Sequence, residues 1–195
     1  MSNASRKSCE PHRSGELSLL PEEVDRLLDA APTFADRVLL EVAVSSGIRR
    51  EDVVAIRREG VELDGDIAAI SYYESKKSRD RHVRIGGRVV VDLRAHLRDL
   101  PRGTRWIFPA RHGTRGHLSG RAAYDVLQRS LLAAGLAPRP FHALRATCVK
   151  LCQARGWKPI EVAELTGDSL RTIERHYAVP TPGEMAKAAR EKPLL

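Results

Sequence analysis

Helical spacing dominates the distribution of apolar residues along the chain. In residues 21–31 (PEEVDRLLDAA) Val24, Leu27 and Leu28 recur at the interval of one helical face, and Pro21 stands where a first helical turn tolerates proline. Thr33 and Asp36 have the spacing of a capping box and open a second helix through Val38, Leu39 and Val42 to a stop at Gly47. A third, short helix is expected over 50–57. Alternation then replaces helical spacing at 67–73 and 82–85, which predicts two strands of a hairpin whose tip, 74–81, is polar and basic.

Beyond Gly86-Gly87 the stretch VVVDLRAHLRDL is again helical, and the Pro/Gly/Arg-rich segment to Gly116 is a loop interrupted by the apolar triplet Trp106-Ile107-Phe108. Ser119 caps a helix that ends at Gly135. A helix over 142–155 closes at Gly156, Pro159 begins a short one to Thr166, and a last short helix follows Gly167 and ends near Tyr177. Thr181 and Glu184 repeat the capping-box spacing ahead of a C-terminal helix over 185–191. The pattern predicts a mainly α domain with one small antiparallel β-sheet (α+β), no internal repeat, a flexible leader over 1–16 and a tail over 179–195.

Composition fits that picture: 195 residues, 42% hydrophobic, 30% charged and 5% aromatic, suit a single sizeable core. No apolar run approaches the roughly 18 residues a membrane span needs, and the charged first 16 residues lack the apolar core of a secretion signal. A cytoplasmic protein is expected. Cys9, Cys148 and Cys152 are odd in number and lack zinc-type spacing; the last two, four residues apart, read as reduced thiols on one buried helix face. His112 and His117 share a Gly-rich loop without forming a ligand cluster, so neither metal nor cofactor is expected.

Charge changes the picture most. The net charge is +8, and residues 76–115 hold twelve Lys/Arg against three Asp/Glu while the rest of the chain is close to balance. Positive charge concentrated in this way attracts polyanions; DNA, double-stranded, is the expected partner, and a solvated basic face of an Arg-rich protein is the alternative that charge alone leaves open. The residues expected to face DNA are Lys77, Arg79, Arg81, Arg111 and Arg115.

Metal-free phosphodiester transfer needs cations for the nonbridging oxygens, a nucleophile and an acid for the leaving oxygen. His142 and Arg145, three apart, share one helical face, and a guanidinium fork matches two phosphate oxygens. By itself this pair is a weak signal. Four segments taken in order carry more: SSGIRREDVVAIR (45–57), ESKKSRDRHVRI (74–85), FHALRATC (141–148) and LTGDSLRTIERHY (165–177). Together they resemble the signature boxes of the tyrosine recombinases of the phage-integrase type, over about residues 17–178.

The resemblance implies a catalytic-domain fold of that family and a division of labour. Tyr177, ten residues after Gly167, would attack the scissile phosphate to give a 3′-phosphotyrosine. Arg49 and Arg145 would hold the nonbridging oxygens, and Lys76, or less plausibly Lys77, would protonate the departing 5′-oxygen. His142 would accept a proton and a hydrogen bond. The chemistry implied is site-specific cutting and rejoining of DNA, independent of metal and ATP, by protomers that self-associate as a dimer or tetramer across a synapse. The helix after Thr181 is expected to dock on a neighbouring protomer.

Two features depart from the family's pattern. Asp168 stands where the family has His or Trp; a carboxylate only accepts hydrogen bonds and repels phosphate, and Asp there is also a natural N-cap for the helix leading to Tyr177. His176 is a candidate for the missing donor. The family's usual N-terminal helical domain is not among the 16 polar residues ahead of the match. These departures keep open a noncatalytic DNA-binding module derived from a recombinase and, less favoured, a type IB topoisomerase.

Overall fold

A computed structural model describes residues 17–110, 116–176 and 182–192. Three helices open the chain: α1 (Pro21–Asp29), α2 (Phe34–Ser46) and α3 (Arg50–Val54). The strands β1 (Val61–Asp64), β2 (Ile67–Glu74) and β3 (Arg79–Gly86) form one antiparallel sheet in that order. Helices α4 (Arg88–Asp99), α5 (Gly120–Ala133), α6 (His142–Ala154), α7 (Pro159–Thr166), α8 (Leu170–His176) and α9 (Pro182–Glu191) follow. This is the helix-rich architecture with one small sheet that the apolar pattern predicts.

The hub is α2. Thr33 caps it by accepting the Asp36 amide at 3.1 Å, and Gly47 ends it in the left-handed region at φ 63°. Between them nearly every position is buried, from Val38 to Val44, because α1, α4, α5, α6 and the sheet all pack around this helix. Each large aliphatic side chain it buries, such as Leu39 or Leu40, contributes about 1.5–3 kcal/mol. Cys148 and Cys152 are free and buried on α6, as their spacing suggests.

The elements differ from expectation in two places, for one reason. The third helix stops at Val54 instead of near Arg57, and the chain runs on extended so that Ile56 and Arg58 exchange backbone hydrogen bonds with Ile107 and Arg105. The Trp106-Ile107-Phe108 triplet thus supplies a tertiary partner that local spacing does not announce. The strand β1 is likewise set by pairing: Val61 and Leu63 alternate with Glu62 and Asp64 over only four residues and are half-buried, and the strand is held by its register on β2.

Candidate active site

The four signature segments lie far apart in sequence and meet on one side of the sheet. Gly47 ends α2 at a turn so tight against its neighbours that an added Cβ would lie 3.1 Å from Thr166 and 3.3 Å from Cys148. The turn places Arg49 at the N-cap of α3. Lys76 sits in a short 3-10 turn between β2 and β3, and His142 and Arg145 occupy the first turn of α6. Arg49, Arg50, Lys76, Tyr124, His142 and Arg145 line one cleft of about 460 Å³. Tyr124, on α5, is among them.

Arg145 is 3% exposed and its fork is fully committed. It donates to the Gly47 carbonyl, to the Thr166 carbonyl at 2.7 Å and to both oxygens of Asp168, at 2.7 and 3.2 Å. One guanidinium therefore ties the α2–α3 turn to the C-terminal end of α7. Arg49 donates to Glu74, which is fully buried, and its other amino group lies 3.6 Å from Asp168.

Glu74 is a buried partner of the cleft arginine Arg49 that sequence reasoning overlooked, and a signal for it existed. The alternation of β2 that buries Ala68, Ile70 and Tyr72 puts Glu74 on the same inward face, where a carboxylate requires partners. Arg79, its cross-strand neighbour, donates to it at 2.8 Å from the opposite side. Burial opposes ionisation of Glu74, but the hydrogen bonds from Arg79 and Arg49 outweigh it and hold its carboxyl below the ordinary glutamate range. Beside it, Asp52 accepts both the amide and the hydroxyl of Ser75, at 3.1 and 2.6 Å, and so fixes the base of the turn that carries Lys76.

Three residues expected to face DNA are engaged within the protein. Arg81 requires a correction: it is buried, on the same inward face of β3 as Val83 and Ile85, and donates to the Glu164 and Leu165 carbonyls at the end of α7. It closes a helix C-terminus instead of presenting charge to a ligand. Lys77 donates to the Gly167 carbonyl at 2.6 Å, leaving Lys76 as the lysine that lines the cleft. Arg79, bound to Glu74, keeps a half-exposed side chain. Arg111, Arg115, Cys9, His112, the leader over 1–16 and Tyr177 lie outside the described residues, as does the side chain of His176.

Asp168 is not a helix cap. Ser169 takes that role at α8, its hydroxyl accepting the Thr172 amide at 3.1 Å, while the Asp168 carboxylate turns inward to the two arginines. His142 is exposed at the cleft mouth, yet enough of its ring is enclosed that burial, and then the charge of Arg145, lowers its pKa below the usual histidine value. Asp168 works against that shift, whereas Arg49 and Lys76 reinforce it. The ring is therefore neutral near pH 7 and able to accept a proton. No group of three or more His, Cys, Asp or Glu side chains with metal-holding geometry occurs among the described residues.

Three guanidiniums, those of Arg49, Arg50 and Arg145, line one cleft with the Lys76 ammonium and the His142 imidazole, a donor set that suits an oxyanion. The chain belongs to the phage integrase family, whose model matches residues 18–183. It is 25% identical over 186 residues to the tyrosine recombinase XerA of Thermococcus kodakarensis, a match that spans 94% of this chain and 65% of that protein. Its fold resembles the crystal structure of XerA recombinase, with a TM-score of 0.77 at 18% identity over 91% of this chain and 66% of that one. It also resembles XerH site-specific recombinase bound to its difH substrate before cleavage, with a TM-score of 0.70 at 22% identity over 89% of this chain and 53% of that one. The chain thus spans about two thirds or less of the length of these relatives.

Proposed function

We propose that this protein is a site-specific DNA recombinase that cleaves and rejoins strands through a 3′-phosphotyrosine, with residues 17–178 as its catalytic domain. The observation that carries the reading is the meeting of Arg49, Lys76, His142 and Arg145, drawn from three separate signature segments, on one cleft. In the proposed reaction Tyr177 attacks the scissile phosphorus as the bond to the 5′-oxygen breaks. Arg49 and Arg145 hold the nonbridging oxygens, Lys76 gives the leaving oxygen its proton, and neutral His142 accepts one. The ester conserves the bond energy, so a 5′-hydroxyl from another strand reverses the step without ATP.

Double-stranded DNA is the proposed substrate, and cytoplasmic action on it fits a chain in which no described helix is long and apolar enough to cross a membrane. Self-association on DNA is proposed through α9, which leaves Met185 exposed. The test is covalent trapping. Wild type, Tyr177→Phe and Tyr124→Phe are incubated with nicked and supercoiled DNA from the neighbourhood of the encoding gene and resolved on denaturing gels. A protein–DNA adduct in wild type and Tyr124→Phe that is lost in Tyr177→Phe is expected. An adduct that survives Tyr177→Phe, or none with any DNA, refutes the assignment.

A further inference from the structure

We propose that Asp168 is an internal occupant of the phosphate seat, and that the scissile phosphate binds by exchanging with its carboxylate. The identity of the incoming anion rests on the recombinase reading; the exchange itself rests on geometry. A carboxylate and a phosphate present the same feature to a guanidinium, two oxygens at fork spacing. Asp168 offers both oxygens to Arg145, at 2.7 and 3.2 Å, and one of them also faces Arg49 at 3.6 Å. It therefore bridges the two arginines that the proposed reaction assigns to the nonbridging oxygens.

Each nitrogen of Arg145 is engaged, and one amino group of Arg49 is. Arg145 is held by the Gly47 and Thr166 carbonyls, and Arg49 by buried Glu74. On Arg145, the donors a ligand can win are the ones Asp168 occupies. With Asp168 in place, a phosphate arriving at the same guanidiniums meets the like charge of its carboxylate. Helix capping does not account for the inward carboxylate, because Ser169 caps α8.

The backbone is built for such an exchange. Asp168 follows Gly167, a left-handed residue at φ 75° whose carbonyl is held by Lys77, and it precedes α8, which ends next to Tyr177 in the sequence. Releasing Asp168 from the arginines loosens the lead into the helix that delivers the nucleophile. Phosphate occupancy and tyrosine delivery are thereby linked, and Asp168 acts as a positioning residue that keeps the site closed to anions until DNA displaces it.

The test uses inorganic phosphate as the probe, so that it does not depend on cleavage. Wild type, Asp168→Asn and Asp168→Asn combined with Arg49→Ala are titrated with phosphate and followed by arginine side-chain NMR signals. Removing the resident charge is expected to tighten phosphate binding roughly tenfold or more, from the size of like-charge effects on neighbouring anions, and the Arg49→Ala combination is expected to abolish the gain. In wild type, phosphate at saturation is expected to shift the backbone amides of residues 168–174 along with the arginine signals. That measurement decides the matter even if the variants fold poorly. Unchanged or weaker phosphate binding in folded Asp168→Asn, or wild-type shifts confined to the arginines, overturns the exchange and makes Asp168 a fixed brace. Tighter phosphate binding without any protein–DNA adduct leaves the exchange standing and removes the recombinase reading; adducts without tighter binding do the reverse.

Discussion

Replacing Arg145 by lysine keeps a positive charge in the cleft and removes the fork, so it separates what the charge does from what the geometry does. In the folded protein Arg145 satisfies the carbonyls of Gly47 and Thr166 and a carboxylate, all from a side chain 3% exposed. A lysine ammonium is a compact donor that cannot serve three partners spread around a plane. If it stays with Asp168, at least one buried carbonyl is left without a donor, at about 1–3 kcal/mol each. The expected loss is therefore roughly 2–4 kcal/mol for Arg145→Lys, which in a domain of this size lowers the melting temperature by roughly 5–15 °C. Urea unfolding followed by far-UV circular dichroism measures it. Cleavage assayed well below the lowered melting temperature is expected to fall roughly 10²- to 10³-fold, the scale of losing one transition-state oxyanion donor. Wild-type stability together with near-wild-type cleavage would falsify the assignment of Arg145 as both strut and phosphate clamp.

Three further outcomes follow from the same geometry. Gly167→Ala forces a side chain into the left-handed region and sets its Cβ 3.0 Å from the Arg81 guanidinium, itself anchored on α7 carbonyls; a loss of roughly 1–3 kcal/mol is expected, and an unchanged urea midpoint counts against it. The pKa of His142 is lowered on folding, so the unfolded chain takes up the proton first and stability declines as pH falls below about 6.5. His142→Gln is expected to flatten that decline, and wild-type cleavage to weaken as the ring protonates at a pH below that of free histidine; parallel stability profiles for the two proteins would refute this. Deleting residues 180–195 is expected to leave binding of one protomer to DNA intact and to reduce self-association on it, as read by sedimentation, whereas unchanged assembly would exclude α9 as the docking element.

The chain's periodicity determined most of its elements by itself, because capped helices such as α2 and α5 and the alternation of β2 and β3 are decided by local backbone and side-chain physics, whereas the end of α3 and the strand β1 depend on tertiary pairing. The residue types at the four signature segments were legible directly, and with them the class of chemistry they suggest. Register was legible in part: inward alternation already marks Glu74 and Arg81 as buried, although a run of basic residues draws attention to charge and away from direction. What sequence spacing could not supply is the identity of partners brought together across the fold. Arg81 serves the end of α7, Lys77 the Gly167 carbonyl, and Asp168 the two arginines, over separations of 83, 90 and 23 residues for the bonds concerned. A carboxylate after Gly167 is locally indistinguishable from a helix cap, and only the packing of α6 against α7 decides that it faces Arg145 instead, because that packing brings a buried guanidinium whose remaining donors require an anion.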